Sequence, residues 1–370
     1  MNNIDFKKLG DYVKIKTGKL DANASSEDGE YPFFTCSIEP LKISSYSYDC
    51  ECCLVAGNGD LNVKYYNGKF DAYQRTYIIE SLDKEKLDVM YLYFFLSSYI
   101  EVLRKQSIGG VIKYIKLGNL TDALIPIPEL SKQKEICQNL IKAKKILSSN
   151  ENLLSKYDTL IKSRFIEMFG DPVTNPMGWD EKPLSSYCIV NPKKNELGNV
   201  SDDYEVSFVP MPLVSEKGDI DSSNIKRFGE VKKGFTYFYE NDVLFAKITP
   251  CMENGKGCVA KNLKNKIGFG STEFHVLRPI DGISTSEWLY RVTTFKAFRK
   301  DAENNMTGSA GQRRTPKEFF DKYKIGLPPL ELQQQFASFV QQIDKAKFAV
   351  QKSLEKAETL YKSLMQEYFG

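Results

Sequence analysis

The chain contains one long internal repeat, and this repeat constrains its fold more than any other feature. Residues 125–170 can be laid over residues 325–370 without a gap, and 14 of the 46 positions are then identical. The matches include proline, glutamine and threonine positions and a closing Phe-Gly. Any two amphipathic helices share apolar spacing, but that spacing does not explain these matches. The sequence therefore predicts two copies of one structural unit.

Each copy predicts one long helix. A proline precedes each start, where its missing N–H is harmless, and Gly170 with Pro172 favours an end to the first helix. Apolar residues in both copies alternate by four and three positions, as in a coiled coil. A helix of about 38 residues spans roughly 57 Å, which suits a spacer rather than a pocket. We expect the two helices to pair.

The predicted helix-pair seam is mostly apolar, with isolated polar positions. Polar seam residues usually fix the register and the partner of a coiled coil at some cost in stability. Arg164 and Lys347 are two such breaks, and Asn150 is a third. The seam positions are Ile136, Leu140, Leu147, Asn150, Leu154, Ile161, Phe336, Val340, Ile343, Val350, Leu354 and Leu364.

The regions outside the helices have a different composition. They are rich in Tyr, Phe, Val, Gly and Asn, which is typical of strands joined by turns. The pairs Asn67-Gly68 and Asn254-Gly255 predict turns between strands. The sequence thus predicts an α+β chain with two mixed α/β domains and two long helices. We expect a first domain at 1–128, a first spacer helix at 129–170, a second domain at 171–328 and a second spacer helix at 329–370.

Several enzyme signatures are missing from the sequence. The run NGKGC at 254–258 lacks the spacing and the Ser or Thr of a P-loop. Asn191-Pro192 precedes two lysines rather than the Pro-aromatic pair of DNA amino-methyltransferases, and no Rossmann glycine loop is present. The single histidine, His275, lies in a strand-like run without a second histidine for a triad or zinc site. We expect no catalysis by this chain alone.

Composition sets further expectations. The C-x-C-C run at 50–53 lacks the second pair of a structural zinc site, so we expect eight reduced thiols and no metal. No apolar run approaches the roughly 18 residues of a membrane span. The first residues lack the apolar core of a secretory signal, which favours a cytoplasmic location. A net charge of +3 neither favours nor excludes nucleic-acid binding, because local clusters decide.

Four loop-like segments interleave basic residues with aromatic, amide and glycine residues. Arg and Lys suit phosphates and guanine edges, and Asn and Gln suit adenine edges. The segment GSAGQRRTPK at 308–317 is the best candidate, because glycines allow close approach to phosphate. Each residue by itself fits a solvated surface charge better than a DNA contact. The candidate DNA-binding residues are Gln74, Arg75, Lys113, Lys116, Lys247, Asn254, Lys256, Gln312, Arg313, Arg314 and Lys317.

Taken together, these segments resemble the specificity subunit of type I restriction–modification systems. The resemblance covers essentially the whole chain and rests on IPIPELSKQKEI and IGLPPLELQQQF at the helix starts. It also rests on GNGDLNVKYYNGKFDAY in the first domain and LFAKITPCMENGKGCVA, GSTEFHVLRP and TGSAGQRRTP in the second. The arrangement, rather than any single motif, carries the likeness.

The resemblance implies a non-catalytic, DNA-binding subunit. Each domain would read one half of a split target, and the helices would form an antiparallel coiled coil that sets the spacer and docks two modification subunits. Those partners would methylate adenine with S-adenosylmethionine, and restriction subunits would use ATP and Mg to translocate and cut DNA. No cofactor is expected in this chain. A scaffold with two protein-binding domains and a subunit of a modification-only methyltransferase are the alternatives.

Overall fold

The computed structural model of the protein describes residues 6–309 and 311–370. Contacts divide the chain into two units. Unit 1 comprises the residues up to Asn152 together with Gln351–Gly370, and unit 2 comprises Leu153–Val350. Each of the two longest helices therefore contributes one segment to each unit.

Unit 1 contains a six-stranded mixed sheet. Its elements are β1 (Phe6–Lys8), β2 (Val13–Thr17), β3 (Tyr31–Phe34), β4 (Leu41–Ile43), β5 (Tyr48–Ala56), β6 (Val63–Ala72), β7 (Thr76–Ser81), α1 (Val89–Gln106), α2 (Leu117–Thr121), β8 (Leu124–Pro126) and the first part of α3 (Leu130–Phe169). The strand order is β2-β7-β5-β6-β3-β4. Helix α1 buries Tyr91, Leu92 and Phe95 in a core shared with β5 and β7, which removes these large apolar side chains from water.

The Asn67-Gly68 pair does not form the predicted turn, and that prediction was wrong. Both residues lie inside β6, where Asn67 pairs with Glu51 and Gly68 pairs with Cys50. A two-residue hairpin turn of the expected type needs positive φ at both central residues, and only Gly68 has it, at +139°. The chain turns instead between β5 and β6, at residues 57–62.

Unit 2 contains two four-stranded sheets. Its elements are the remainder of α3, β9 (Glu181–Pro183), β10 (Cys188–Val190), β11 (Glu205–Val209), β12 (Ile225–Arg227), α4 (Phe228–Val231), β13 (Thr236–Tyr239), β14 (Val243–Ala246), β15 (Gly257–Val259), β16 (Ile267–Gly270), β17 (Phe274–Pro279), α5 (Ser286–Thr294), α6 (Lys296–Asn304), α7 (Glu318–Lys322), β18 (Lys324–Gly326) and the first part of α8 (Leu330–Phe369). The strand orders are β10-β17-β14-β15 and β12-β11-β16-β13. The predicted turn at Asn254-Gly255 lies between β14 and β15, with φ of +88° at the glycine.

In both units, the first strand of the domain pairs with the strand that precedes the long helix. In unit 1, β1 pairs antiparallel with β8, the strand that leads into α3. In unit 2, β9 pairs antiparallel with β18, the strand that leads into α8. In each unit, the strand that pairs with the first strand of the domain leads through the proline-containing run into the long helix. This pairing positions each long helix on its own domain.

The two long helices lie side by side in both units. In unit 1, Asn139 near the start of α3 contacts Tyr368 near the end of α8, with Nδ2 and Oη 3.4 Å apart. In unit 2, the ring of Phe169 at the end of α3 lies 5.5 Å from that of Phe336 near the start of α8. The helix segments are therefore antiparallel within each unit, and each helix has 40 residues.

The predicted seam positions are shielded from solvent. All twelve are buried or half-buried, while most positions between them are exposed. The polar breaks also find partners, because Asn150 donates to Ser353 Oγ at 3.1 Å and Lys347 pairs with Asp158 at 2.8 Å. Gly170, with φ of +75°, donates its N–H to Ile166 at 2.8 Å and ends α3 as expected.

Candidate nucleic-acid interface

Residues 108–114 of unit 1 form a short closed loop, named here the first glycine loop. Ile108 and Tyr114 exchange both backbone hydrogen bonds, at 3.0 and 2.9 Å. Gly109 has φ of +119°, and a Cβ at this position would lie 2.5 Å from the carbonyl oxygen of Ile112. Only glycine fits there, so the loop holds its exposed end in a fixed backbone conformation.

Backbone hydrogen bonds bring other predicted residues beside the first glycine loop. The N–H of Gly59 donates to the carbonyl of Lys113 at 3.0 Å, and the N–H of Gly57 donates to the carbonyl of Arg75 at 2.8 Å. The side chains of Arg75, Lys113 and Lys116 are all exposed. Gln74 is exposed too, and its Nε2 donates to Asp21 at 2.9 Å. Three cations therefore surround one loop end of unit 1.

Residues 307–314 of unit 2 form the second glycine loop, in which residue 310 lies outside the described part of the chain. Thr307 and Arg314 exchange backbone hydrogen bonds at 2.9 and 2.8 Å. Gly308 has φ of +119°, and a Cβ there would lie 2.8 Å from the carbonyl oxygen of Gln312. This glycine has the same constraint as its counterpart in unit 1.

The two glycine loops are the same element of the internal repeat. The carbonyl of Arg313 accepts from the N–H of Thr249 at 3.1 Å, as that of Lys113 accepts from Gly59. The N–H of Thr315 donates to the carbonyl of Lys247 at 2.9 Å, as that of Ile115 donates to Gly57. Lys113 and Arg313 therefore hold equivalent positions, 200 residues apart. Each unit places a basic residue at one backbone position.

Arg314 differs from Arg313 in its contacts. Its Nε and Nη2 reach the carboxylate of Glu273 at 2.9 and 2.8 Å, a two-pronged ion pair within unit 2. Hydrogen bonding from Arg314 lowers the pKa of the Glu273 carboxyl. Arg313 lies 3.8 Å from the carboxylates of Glu253 and Glu303, so its ion pairs are longer. Of the two arginines, Arg313 is the one whose charge is less engaged by the protein.

A buried arginine that the sequence did not reveal holds the turn with Asn254 and Lys256. The Nε of Arg299 donates to the carbonyl of Thr293 at 2.6 Å, and Nη1 donates to that of Met252 at 2.9 Å. Nη2 reaches the carbonyls of Gly255 and Lys256 at 3.3 and 3.4 Å. The guanidinium also lies 4.3 Å from the ring centroid of Phe245.

The geometry around Arg299 fixes the backbone of that turn. Burial lowers the pKa of Arg299 to about 10, so its guanidinium stays charged at neutral pH. Backbone carbonyls oriented toward the charge replace its hydration. Asn254 is consequently held exposed, and the Nζ of Lys256 lies 3.4 Å from the carbonyl of Met211. Lys317 and Gln312 are exposed as well.

Lys247 lies at a basic cavity of about 340 Å³ in unit 2. Lys194 and Lys232 also line it, together with the exposed ring of Phe235. Burial lowers the pKa of Lys247. Sequence reasoning missed Lys194 and Lys232, because they reach the cavity from segments far from any glycine-rich run. The cation set in unit 2 is therefore wider than the predicted one.

His275 has a structural environment. Its Nε2 lies 2.8 Å from the carbonyl of Thr315, and Asn191 contacts its Nδ1 at 3.0 Å. Burial lowers the pKa of His275 to about 4, which keeps the ring neutral at pH 7. In unit 1 the hydroxyl of Tyr77 donates to the equivalent carbonyl, that of Ile115, at 3.2 Å. Both side chains thus tie a strand to the end of a glycine loop.

Two further properties of the described residues bear on the site. Within 6–309 and 311–370, no group of three or more His, Cys, Asp or Glu side chains is arranged to hold a metal ion. Over the same residues, no helix is both long and apolar enough to cross a membrane. All eight cysteines are free thiols, and burial raises the pKa of Cys52 and Cys53.

This geometry defines a two-domain protein with a repeated basic loop and a shared helix pair. A model of the family described as "Type I restriction modification DNA specificity domain" matches residues 1–156 and 176–358. The chain belongs to this family. The predicted family and the α+β fold class are confirmed.

Individual relatives agree with this assignment. The type I restriction enzyme EcoAI specificity subunit of Escherichia coli is 45% identical over 167 residues, covering 44% of this chain and 27% of the relative. The MjaVIII specificity subunit of Methanocaldococcus jannaschii is 24% identical over 407 residues, covering 97% and 90% of the two chains. The chain thus spans about a quarter of the EcoAI subunit in that match, and nearly all of MjaVIII.

A solved structure supports the fold. The S subunit of a type I restriction-modification system from M. genitalium superposes with a TM-score of 0.65, covering 100% of this chain and 97% of that chain at 15% identity. At this identity the likeness concerns the fold alone.

Proposed function

We propose that this chain is the DNA sequence-specificity subunit of a type I restriction–modification complex and has no catalytic activity of its own. The observation that carries the proposal is the pair of equivalent glycine loops, each with a basic residue at the same backbone position. Two copies of one loop with different neighbouring side chains suit two different half-sites. Arg and Lys next to glycine-rich backbone are typical of phosphate and base-edge contacts.

Each domain in this proposal reads one half of a bipartite target. The first acts through the loop end with Arg75 and Lys113, and the second through Arg313, Asn254 and the cavity at Lys247. The antiparallel helix pair sets the number of unread base pairs between the halves. The domain limits predicted from the sequence, at residues 128, 170 and 328, belong to the same proposal.

The proposed partners are double-stranded DNA, two modification subunits and restriction subunits. The helix pair is the docking surface for the modification subunits, which use S-adenosylmethionine to methylate adenine. Restriction subunits use ATP and Mg. No cofactor is assigned to this chain, and the complex acts in the cytoplasm.

Methylome sequencing tests this function. Cells that express the chain with its partners should carry methylated adenines in a motif of two short half-sites separated by a fixed spacer. The motif should disappear when the gene for this chain is deleted. Methylation that persists without the chain, or that follows one uninterrupted motif, would contradict the proposal.

A further inference from the structure

The exposed end of the first glycine loop is apolar, whereas the described residues at the end of the second are glycine and polar residues. Val111 is fully exposed, and Ile112 is 63% exposed. In unit 2 the position of Ile112 is taken by Gln312, which is exposed. The register is certain, because the carbonyl oxygens of Ile112 and Gln312 are the atoms that exclude a Cβ at Gly109 and Gly308.

These exposed apolar residues belong to one short segment of the chain. Three more large hydrophobic residues within the same ten positions, Ile108, Tyr114 and Leu117, are also exposed. Single exposed apolar residues are ordinary, but a contiguous group usually marks an interaction site. Val111 and Ile112 are β-branched and therefore stiff, and the loop backbone is fixed by its closing hydrogen bonds. Little further ordering is needed for binding.

The surroundings of the apolar tip favour a polyanion. Lys105, Lys113 and Lys116 are exposed close by in the chain. The nearby carboxylate of Asp60 is paired with Arg104 at 3.1 Å, which offsets its charge. A tip of two aliphatic side chains flanked by lysines matches a surface that is apolar at its centre and anionic at its edges.

We propose that Val111 and Ile112 contact thymine methyl groups in the half-site that unit 1 reads. The thymine C5 methyl is the apolar group on the major-groove edge of DNA, and phosphates border it on both strands. This inference rests on the proposed function, under which each half-site holds an adenine to be methylated and hence a paired thymine. Gln312, at the equivalent position of unit 2, suits an adenine edge instead.

Replacing thymine by deoxyuridine, which lacks only the methyl group, tests the contact. The full chain, purified with its modification subunit, is titrated with duplexes of its methylome-defined target, substituted in one half-site at a time. In one half-site, deoxyuridine should weaken binding about fourfold for each contacted methyl, the value for a buried methylene-sized group. In a Val111→Ser, Ile112→Ser variant, whose new side chains carry no methyl group, the same substitution should have no effect.

Gln312→Ala is the matched control and should retain the deoxyuridine effect of the native protein. Native protein that binds thymine duplexes specifically but ignores deoxyuridine in both half-sites would overturn the inference and leave the proposed function intact. An unchanged deoxyuridine effect in the serine variant would overturn it too. Absence of any sequence preference on the unsubstituted target would refute the proposed function itself.

Discussion

Gln133 and Gln333 make the same three hydrogen bonds in the two units. The amide oxygen of Gln133 accepts from the N–H of Asp88 at 2.9 Å, and its Nε2 donates to the carbonyls of Lys86 and Pro128, both at 2.8 Å. The amide oxygen of Gln333 accepts from the N–H of Thr285 at 2.9 Å. Its Nε2 donates to the carbonyls of Ile283 and Pro328 at 3.2 and 2.9 Å.

These two glutamines attach each long helix to its own domain. Asp88 and Thr285 are the N-caps of α1 and α5, and both glutamine side chains are completely buried. Each amide therefore hydrogen-bonds a backbone N–H and a carbonyl in the segment before a domain helix, and the proline carbonyl before a long helix. The repeat therefore includes the hydrogen bonds between each long helix and its domain as well as the helix itself.

Replacing either glutamine by methionine should destabilise the protein. The change keeps the side-chain length but leaves one buried N–H and two carbonyls without their partner, which costs about 2–4 kcal/mol in the free energy of unfolding. Urea unfolding followed by circular dichroism measures the loss. Gln138→Met and Gln334→Met, at exposed positions of the same helices, should change the stability by less than about 0.5 kcal/mol.

His275 predicts a pH dependence of stability. Its pKa is about 4 in the folded chain and 6.5 when unperturbed. The unfolded state therefore binds the proton first, and stability is lost as the pH falls from about 6.5 toward 4, by up to about 3 kcal/mol. Urea unfolding at pH 7 and pH 5 should show a smaller difference for His275→Gln, which keeps a donor toward Thr315. An equal difference in both proteins would exclude His275 as the cause.

Arg313→Ala should weaken DNA binding and lower its salt dependence. One lost phosphate contact reduces the slope of log K against log salt by about one. Arg314→Ala also removes the ion pair with Glu273, so that variant combines loss of charge with loss of structure. Fluorescence anisotropy at several salt concentrations measures the slope. Arg227→Ala, which removes an exposed arginine paired with Asp203 at 3.0 Å, serves as the control. An unchanged slope for Arg313→Ala would remove this residue from the interface.

Arg299→Lys should lower the sequence specificity for the half-site that unit 2 reads and leave the specificity for the other half-site unchanged. Lysine retains the charge but cannot reach several carbonyls in a planar fork, so the turn with Asn254 and Lys256 loses its fixed backbone. We expect the affinity ratio between the target and a duplex with that half-site randomised to fall about tenfold, a difference of about 1.4 kcal/mol. If less protein is competent to bind DNA but the affinity ratio is unchanged, Arg299 contributes to stability alone.

The long helices and the glycine loops could be predicted because their signals are local. Apolar spacing predicted the seam, and glycines followed by basic residues predicted loops at Lys113 and Arg313. The matched Gln133 and Gln333 were visible in the repeat, but their partners lie 45 and 48 residues away in the chain. Such tertiary contacts leave no local pattern.

The same limit explains what the sequence did not reveal. The pairing of Arg314 with Glu273 and the buried setting of Arg299 depend on strands brought together by the fold. Asn67-Gly68 has the composition of a turn, but pairing along β5 and β6 prevailed over that local preference. For Asn150, the seam pattern indicated a polar break and the fold supplied its partner, Ser353.

Deleting one heptad from both long helices tests the central claim, which is that the helix pair sets the distance between two separately read half-sites. Removing residues 147–153 and 350–356 preserves the four-three spacing of the seam and shortens each helix by about 10 Å. Removing only one of the two segments is the control and should destabilise the pair. Selection of bound duplexes from a library should yield the same half-sites with a shorter spacer. New half-site sequences at an unchanged spacer would contradict the account.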